Sequence, residues 1–511
     1  MTSAPQYNIS IHIGANTFSL LISELKNNTW SEVEYLEQPI PLARDVFRHN
    51  RVKRDTIERC SEILENYLTI ISEYGLTIES VTEAAVTNIV EESKNHHIFL
   101  NRLEVASGIK FTPLDNGGMT RLIFSKVQRH QSDTNFTTEG NTLAIHVGPG
   151  NTRVLLLNDG FVIRYTTYRL GTHRSAETLV TTERTGREYL NVIKSQCKAA
   201  IASIQYDYRK THINNIILIG HEVQLTSNEL CYNTFASPSI EKYEQFVKSC
   251  AELNEEERLR NYNLDYHSED AFLPALQINL CILKAFDIER YWIPSTNFER
   301  GLLRDLHITH GHSNLFRKET LMAARLIARK YEADSNHYEH VLKFATQLFQ
   351  QTQSIHNLDE RALFYLQIAT IIHEVGGYIS PRMHHKHSYY LINNSEIFGL
   401  NQETIQIIAL IARYHRQSPP KTTHKEFNIL SRSDQLLVSK LASILRVADA
   451  IDAAQQQRIK TLTISLNNDR LDLIVEGAID LDIEKLSLAN KGRFFETLFG
   501  LELHLSPSPA L

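Results

Sequence analysis

Two segments with the same pattern constrain what this chain can fold into. Residues 7–24 and 142–160 each contain a β-prone run, a turn rich in glycine and asparagine, and a second β-prone run. Alternating apolar positions on both sides of such a turn are typical of a β-hairpin. The turns are also similar in sequence, IGANT in the first copy and VGPGNT in the second. The repeat predicts two homologous halves, each built on a sheet that begins with a hairpin.

The patterns between and after the hairpins divide the rest of the chain. Helical spacing predicts a helix at 50–74, a β-prone run predicts a strand at 81–90, and the polar stretch 131–140 predicts a connector between the halves. From about residue 311 apolar positions recur at three and four, which predicts a helical region to about residue 458. The segment that follows predicts two strands, a helix and a final strand.

The charge balance is mildly acidic, with 53 Lys and Arg against 59 Asp and Glu and a net charge of −6. This excludes a general basic surface, so no nucleic-acid partner is expected. The five cysteines form no CxxC pair, which favours a reducing compartment over a disulfide framework. The first ten residues lack the basic and apolar regions of a signal peptide, and no apolar run approaches the roughly 18 residues of a membrane span. We therefore expect a cytoplasmic protein without a membrane partner.

Short turns rich in Gly, Asn and Thr after a strand expose backbone N–H groups and hydroxyls. These groups suit phosphate oxygens, because small residues let the backbone approach and N–H dipoles favour anions. A third glycine turn follows the β-prone run 215–219. If the halves face each other, the turns are expected to clasp a phosphate compound in a cleft. The expected phosphate-binding residues are Gly14, Asn16, Thr17, Gly148, Gly150, Asn151, Thr152, Arg153 and Gly220.

Several segments resemble, in the same order, motifs of the exopolyphosphatase / guanosine pentaphosphate phosphatase (Ppx/GppA) family. IHIGANTFSLLISE at 11–24 and IHVGPGNTRVLLL at 145–157 resemble its two hairpins. RLIF at 121–124, YRLG at 168–171 and ERGLL at 299–303 resemble three of its further motifs. The resemblance extends over nearly the whole chain.

The resemblance implies the fold class, the domains and the ligand. It implies an α/β protein with two actin-like ATPase (ribonuclease H-like) lobes, followed by an all-α HD-like domain and a small α+β C-terminal cap. The implied ranges are 1–130 for lobe I, 131–310 for lobe II, 311–458 for the HD-like domain and 459–511 for the cap. The implied ligand is polyphosphate or guanosine penta- or tetraphosphate, and the implied assembly is a homodimer.

The acidic positions of the family's cleft carry other residues here. The family's first aspartate corresponds to His12, its second to His146, and the glutamate of the second turn to Arg153. The glutamate-rich turn that supplies its catalytic base becomes a segment that contains Gly117 and Gly118. A Mg²⁺ ion would lose its hard oxygen ligands, so Mg²⁺ is not expected in this cleft.

These replacements leave three interpretations of the cleft open. In the first, the cleft binds an anion without a metal, and binding weakens as pH rises because protonated His12 and His146 supply part of the attraction. In the second, it is a relict without a ligand. In the third, the two histidines bind a softer metal such as Zn²⁺.

The helical region is rich in histidine. Nine of the 23 His lie between residues 335 and 425. His373-Glu374 follows an apolar helix, as the His-Asp pair does in metal-dependent HD phosphohydrolases. The resemblance implies a divalent metal, Mn²⁺, Fe²⁺ or Zn²⁺, because mixed imidazole and carboxylate ligands suit these ions. The implied ligands are His337, His373, Glu374 and Asp449, with His387 and His415 near a second ion. The alternative is a basic groove for a polyanion.

Three functional hypotheses follow. The chain hydrolyses a phosphoanhydride as the family does, it binds the phosphate compound as a catalytically silent sensor, or it hydrolyses phosphates through the HD-like domain.

Overall fold

The computed structural model describes residues 6–26, 29–134, 140–177, 186–230, 239–288, 290–294, 298–310, 314–467, 469–477 and 480–508. The chain divides into two compact units, Met1–Gly311 and His312–Leu511. Within the described ranges, no helix is long and apolar enough to cross a membrane.

The first unit begins with a five-stranded sheet, sheet I, and the helices around it. These are β1 (Tyr7–Ile13), β2 (Thr17–Lys26), β3 (Thr29–Pro39), α1 (Leu42–His49), α2 (Arg54–Glu73), β4 (Val81–Thr87), α3 (His96–Ser107), β5 (Thr112–Leu114) and α4 (Asn116–Thr134). The strand order is β3-β2-β1-β4-β5, with β1 antiparallel to β2 and parallel to β4. Because side chains alternate along a strand, Ile11 and Ile13 enter the core while His12 lies on the opposite face.

A second sheet, sheet II, has the same strand order. Its elements are β6 (Asn141–Val147), β7 (Thr152–Asn158), β8 (Phe161–Tyr168), α5 (Thr172–Glu177), α6 (Arg187–Tyr208), β9 (Asn215–Ile219), α7 (His221–Leu225), α8 (Ser227–Leu230), α9 (Ile240–Glu252), α10 (Glu255–Asn261), α11 (Glu269–Leu283) and β10 (Arg290–Trp292). The order β8-β7-β6-β9-β10 repeats that of sheet I, with the hairpin antiparallel and β9 parallel to β6. The predicted internal repeat is therefore confirmed.

Helix α12 (Phe298–His310) contacts β1, β2 and β4 of sheet I, together with α4. The sequence placed these residues in lobe II, but they cover the polar face of sheet I and bring Glu299 to His12. The predicted connector 131–140 also differs, since residues 131–134 continue α4 and residues 135–139 lie outside the described residues.

The second unit joins a helical bundle to a small sheet. Its elements are α13 (Asn314–Lys330), α14 (Ser335–Gln351), α15 (Gln353–His356), α16 (Glu360–Ile372), α17 (His384–Asn393), α18 (Gln402–Arg413), α19 (Lys425–Asn428), α20 (Arg432–Ile451), β11 (Thr461–Asn467), β12 (Arg470–Glu476), α21 (Asp482–Lys491), α22 (Arg493–Phe499) and β13 (Glu502–Pro507). The side chains of Asp359 and Ser431 accept backbone N–H bonds at the starts of α16 and α20, which fixes where these helices begin.

One hydrophobic core runs through this unit. Leu471, Leu473 and Leu505 of the sheet belong to the same buried cluster as Ile372 of α16 and Leu445 of α20. The boundary proposed after residue 458 therefore falls inside one compact unit.

Candidate functional site

The glycine turns close the two hairpins tightly. In turn 1 (residues 14–16) Gly14 N–H donates to Thr17 O at 2.7 Å, and in turn 2 (residues 148–151) Gly148 N–H donates to Asn151 O at 3.0 Å. A Cβ atom on Gly14 would lie 3.0 Å from Thr17 Oγ1, closer than side chains ordinarily approach. The hairpins themselves therefore account for these glycines, and the two N–H groups are used inside the turns.

The two turns lie close together within the first unit. Asn16 Nδ2 of turn 1 is 2.9 Å from His173 Nε2, at the start of α5. Gly171, just before that helix, packs on turn 2 so closely that a Cβ atom there would lie 2.4 Å from Gly150 C and Pro149 O. The expectation that the turns form two sides of one cleft agrees with this geometry.

Side chains of the protein occupy the space beside turn 2. A Cβ atom on Gly150 would lie 3.0 Å from Phe47 Cζ and 3.4 Å from Arg174 Nη2. Arg174 Nε donates to Gly150 O at 3.0 Å, and its Nη2 donates to Glu92 at 2.7 Å. The Thr152 hydroxyl donates to Leu170 O at 2.7 Å. A phosphate at this turn would have to displace these groups.

The two remaining positions expected to bind phosphate, Asn151 and Gly220, each lie next to the end of a strand. Asn151 is half-buried in turn 2. Gly220 connects β9 to α7 with φ of 153°, a conformation that favours glycine.

Although His12 replaces an acid of the family, a carboxylate from elsewhere in the chain lies beside it. Glu299, from the first turn of α12, accepts a hydrogen bond from His12 Nδ1 at 3.0 Å. The His12 side chain is 2% exposed, and the Glu299 side chain 13%. Burial alone would raise the pKa of Glu299, but the bond and charge of His12 outweigh burial and lower it. The acid absent from β1 is thus supplied from a residue 287 positions away.

His146 and Arg153 are direct neighbours on β6 and β7. Burial, helped by the Arg153 charge, lowers the pKa of His146 to about 3, and burial lowers the pKa of Arg153 to about 10. His146 is therefore neutral near pH 7, and the expectation that its protonation attracts an anion is wrong. The positive charge of this pair of residues is therefore that of Arg153.

The segment that replaces the glutamate-rich turn lies against Arg153. Asn116 begins α4 and its Oδ1 accepts a bond from Arg153 Nη2 at 3.0 Å. Gly117 and Gly118 form the first turn of this helix, and Gly118 N–H donates to Asp115 Oδ1 at 2.6 Å. Of the replaced positions, His146, Arg153 and the start of α4 are therefore brought together, whereas His12 pairs with Glu299.

The second unit assembles a cluster of histidines and carboxylates. His337 lies on α14, His373 and Glu374 follow α16, His415 follows α18, and Asp449 lies on α20. Their ligand atoms form overlapping groups in which all atoms lie within 4.8 Å of one another. The groups are His337, His373 and Glu374; His373, His415 and Asp449; and Glu374, His384 and His415.

In His337, His373 and His415, the Nδ1 atom lies within hydrogen-bond distance of another protein group. His373 Nδ1 lies 2.6 Å from Thr370 O, and His415 Nδ1 lies 2.6 Å from Ala412 O, and both carbonyls belong to the last turn of a helix. His337 Nδ1 lies 2.8 Å from Asp452 Oδ2. With Nδ1 so held, Nε2 of each ring faces the interior of the cluster, as in metal-binding histidines.

In the cluster, burial and neighbouring charges shift the pKa values of the histidines and of Asp449 in opposite directions. Burial would lower the pKa of His337, but hydrogen bonds to Asp449 and Asp452 raise it to about 10. Burial lowers the pKa values of His373 and His415. Burial would raise the pKa of Asp449, but the Lys491 ammonium and His337 hold it well below its usual range.

His387 does not join the cluster, and His384 takes its place. His384 Nε2 lies 3.2 Å from His415 Nε2 and 3.6 Å from Glu374 Oε1. The inward face of α17 carries His384 and Ser388, whose hydroxyl donates to His373 O at 2.6 Å. His387 is rotated by about 100° around the helix axis relative to Ser388, so its side chain lies off this face.

Besides His384, three contributors were missed from the sequence. Asp452 stands three residues after Asp449 near the end of α20, a spacing that puts two side chains on one helix face and could have indicated it. Glu299 begins the ERGLL motif, but its partner His12 lies far away in sequence, so the motif did not indicate their contact. Lys491 carries no local signal, and its partner Asp449 lies on another helix.

A profile of the Ppx/GppA phosphatase family matches residues 21–310, and one of Ppx/GppA phosphatase domain III matches residues 317–490. The chain belongs to the Ppx/GppA phosphatase family. Two guanosine-5'-triphosphate,3'-diphosphate pyrophosphatases are among the relatives of this family member. That of Aliivibrio fischeri is 22% identical over 480 residues, and that of Pseudoalteromonas translucida 21% over 503 residues. The alignments cover 93% and 92% of this chain and 93% of each relative.

An exopolyphosphatase structure from Cytophaga hutchinsonii superposes with a TM-score of 0.51 at 15% identity. It covers 59% of this chain and 98% of that protein, and the likeness concerns the fold. The family and the two repeated sheets identify the first unit of this Ppx/GppA protein as actin-like, with a largely helical part after it.

Proposed function

We propose that this Ppx/GppA protein is a phosphohydrolase whose hydrolytic site is the histidine cluster of its second unit. The observation that carries the proposal is the convergence of His337, His373, Glu374, His415 and Asp449 on one small space. The family name and the names of the relatives support phosphoanhydride bonds as the target, in polyphosphate or guanosine penta- or tetraphosphate.

The residues present fit a divalent metal ion. Among the described residues, none forms a hydrogen bond with His373 Nε2, although this atom is buried. A buried polar atom without a partner costs about 1–3 kcal/mol, which a bound cation would recover. Imidazole nitrogens with two carboxylates suit Mn²⁺, Fe²⁺ or Zn²⁺ better than Mg²⁺, which prefers an all-oxygen set.

The chain's own residues have separate tasks in this proposal. The imidazoles and Asp449 would hold the ion, which would polarise a phosphoryl oxygen and lower the pKa of a coordinated water. Arg416 would bind and orient the phosphate, because its Nη1 lies 3.2 Å from His384 Nδ1 and its side chain is half-exposed. In the described part of the chain, no carboxylate forms an ion pair with Arg416, so its charge is available to an anion.

The test is phosphate release from polyphosphate and from guanosine pentaphosphate, with Mn²⁺ and separately with Mg²⁺. His373→Ala removes one proposed ligand and is expected to lower Mn²⁺-dependent release by more than about tenfold, because even outer-shell changes at metal sites cost that much. Metal analysis of the same samples is expected to show loss of bound metal.

His387→Ala is the matched control, since His387 lies on the same helix as His384 but outside the cluster. It is expected to retain both metal and activity. Mg²⁺-dependent release that survives His373→Ala and is abolished by Thr152→Ala would instead assign hydrolysis to the first unit and refute the proposal.

A second candidate function, anion binding in the first unit, has one specific observation in its favour. Arg153 is 3% exposed, and its Nε has no hydrogen-bond partner among the described residues. Nor does any carboxylate in the described ranges pair with it. A buried cation without a counter-charge is costly, and a bound phosphate would offset that cost.

Binding of radiolabelled guanosine pentaphosphate under chelating conditions tests this second candidate. Native protein is expected to bind without metal, and Arg153→Met to bind more weakly. Equal binding by the two proteins would exclude Arg153 as a ligand.

A further inference from the structure

A lysine from the C-terminal part of the second unit contacts the histidine cluster. Lys491 ends α21, and its Nζ forms an ion pair with Asp449 Oδ2. The Asp449 side chain is 5% exposed and that of Lys491 24%. The other oxygen, Asp449 Oδ1, lies 3.5 Å from His337 Nε2. One carboxylate of the proposed metal site is thus already paired with a fixed cation.

The backbone of Lys491 is held in place by a buried arginine. Arg446 Nε donates to Lys491 O at 2.9 Å. Arg446 Nη1 also donates to Tyr414 O at 3.1 Å and to Gln417 O at 3.0 Å, on either side of His415. The same guanidinium therefore anchors the lysine and the segment that carries a cluster histidine. The ammonium cannot be carried away by movement of α21 without breaking these bonds.

We infer that the Lys491 ammonium is an internal counter-cation that competes with a metal ion for Asp449. The inference rests on the proposed metal site and adds how its occupancy is controlled. Without a metal, the ammonium neutralises a buried carboxylate, which would otherwise be strongly destabilising. When a divalent ion binds, it must take over Asp449 and displace or tolerate a positive charge a few ångströms away, so the lysine weakens metal binding.

The experiment compares native protein with Lys491→Met, in which an unbranched apolar side chain of similar length replaces the lysine. Chelator-treated full-length protein is titrated with Mn²⁺ by calorimetry, and melting temperatures are recorded with and without Mn²⁺. Lys491→Met is expected to bind Mn²⁺ at least about tenfold more tightly, because a like charge beside the ion has been removed. Its metal-free form is expected to melt at a lower temperature, so that Mn²⁺ raises its melting temperature more than that of the native protein.

Two controls keep the result specific. Lys485→Met, on the exposed side of the same helix, is expected to behave as the native protein. Lys491→Arg keeps the charge and is expected to retain the weaker, native affinity. Lys491→Gln removes the charge but keeps an N–H donor for Asp449, so it is the charge-removing variant if Lys491→Met fails to fold, and it too is expected to bind Mn²⁺ more tightly than the native protein.

The outcomes separate this inference from the proposed function. If native protein binds Mn²⁺ and Lys491→Met binds it no more tightly, competition is refuted while the metal site stands. If only Lys491→Met binds Mn²⁺, the competition is supported, and the native protein is not the metal-dependent enzyme proposed above. If neither binds Mn²⁺, both are overturned.

Discussion

Replacing His146 by Gln is expected to remove an acid-sensitive contribution to the stability of the first unit. His146 is buried beside Arg153, and both effects lower its pKa from the ordinary 6.5 to about 3 in the folded protein. In the unfolded chain the ring is hydrated and takes up a proton below about pH 6.5. The native state therefore binds fewer protons, and stability falls as pH drops from 6.5 towards 3.

The size of the effect follows from the two pKa values. At pH 5 the unfolded ring is almost fully protonated and the native ring neutral, which destabilises the fold by about 2 kcal/mol relative to pH 7. Gln keeps a polar group of similar size but has no proton to gain in this range. Subtracting the variant's stability from the native stability at each pH removes the contributions of the other titrating groups.

Urea unfolding followed by tryptophan fluorescence measures this difference. Both tryptophans, Trp30 and Trp292, lie in the first unit, so the signal reports that unit alone. Native protein is expected to lose about 2 kcal/mol more than His146→Gln between pH 7 and pH 5. The exposed His49→Gln serves as control and is expected to keep the native slope. Equal slopes for native protein and His146→Gln would show that His146 is accessible to protons in the folded state.

Two further changes test the packing around the sites. Gly376→Ala would place a Cβ atom 2.1 Å from His384 O and 2.3 Å from Ser388 N. We therefore expect this change to displace α17 and to lower the melting temperature measured by circular dichroism. Gly377→Ala is the matched control, because a Cβ atom there would meet nothing within 4 Å. Equal melting temperatures for the two would contradict this packing. Glu299→Gln is expected to cost about 1–3 kcal/mol by urea unfolding, because it removes the carboxylate from buried His12. A double-mutant cycle with His12→Gln that finds no coupling would show that the pair contributes nothing.

The sequence predicted best what depends on local patterns. The two hairpins could be predicted because strand alternation and a glycine turn are patterns of neighbouring residues in the sequence. The identical order of the two sheets agrees with that repeat. His337, His373, Glu374, His415 and Asp449 were proposed from motif resemblance, and their ligand atoms do converge.

The remaining features depend on contacts that no local pattern encodes. His384 faces the cluster, and His387 does not, because α17 begins directly after Met383, whose backbone is left-handed. The start of this helix also packs closely against Gly376. Glu299 meets His12 only because α12 packs back on sheet I. The neutral state of His146 follows from its burial, which the sequence does not reveal.

The single core of the second unit sets the order of events during synthesis. Leu471, Leu473 and Leu505 complete the packing of helices that leave the ribosome earlier. The first unit precedes them and can fold while the second is still being translated, since domains generally fold as units from the N-terminus. Asp449 also emerges before Lys491, its ion-pair partner. The proposed loading of the histidine cluster with metal is therefore expected to follow translation of the C-terminal strands.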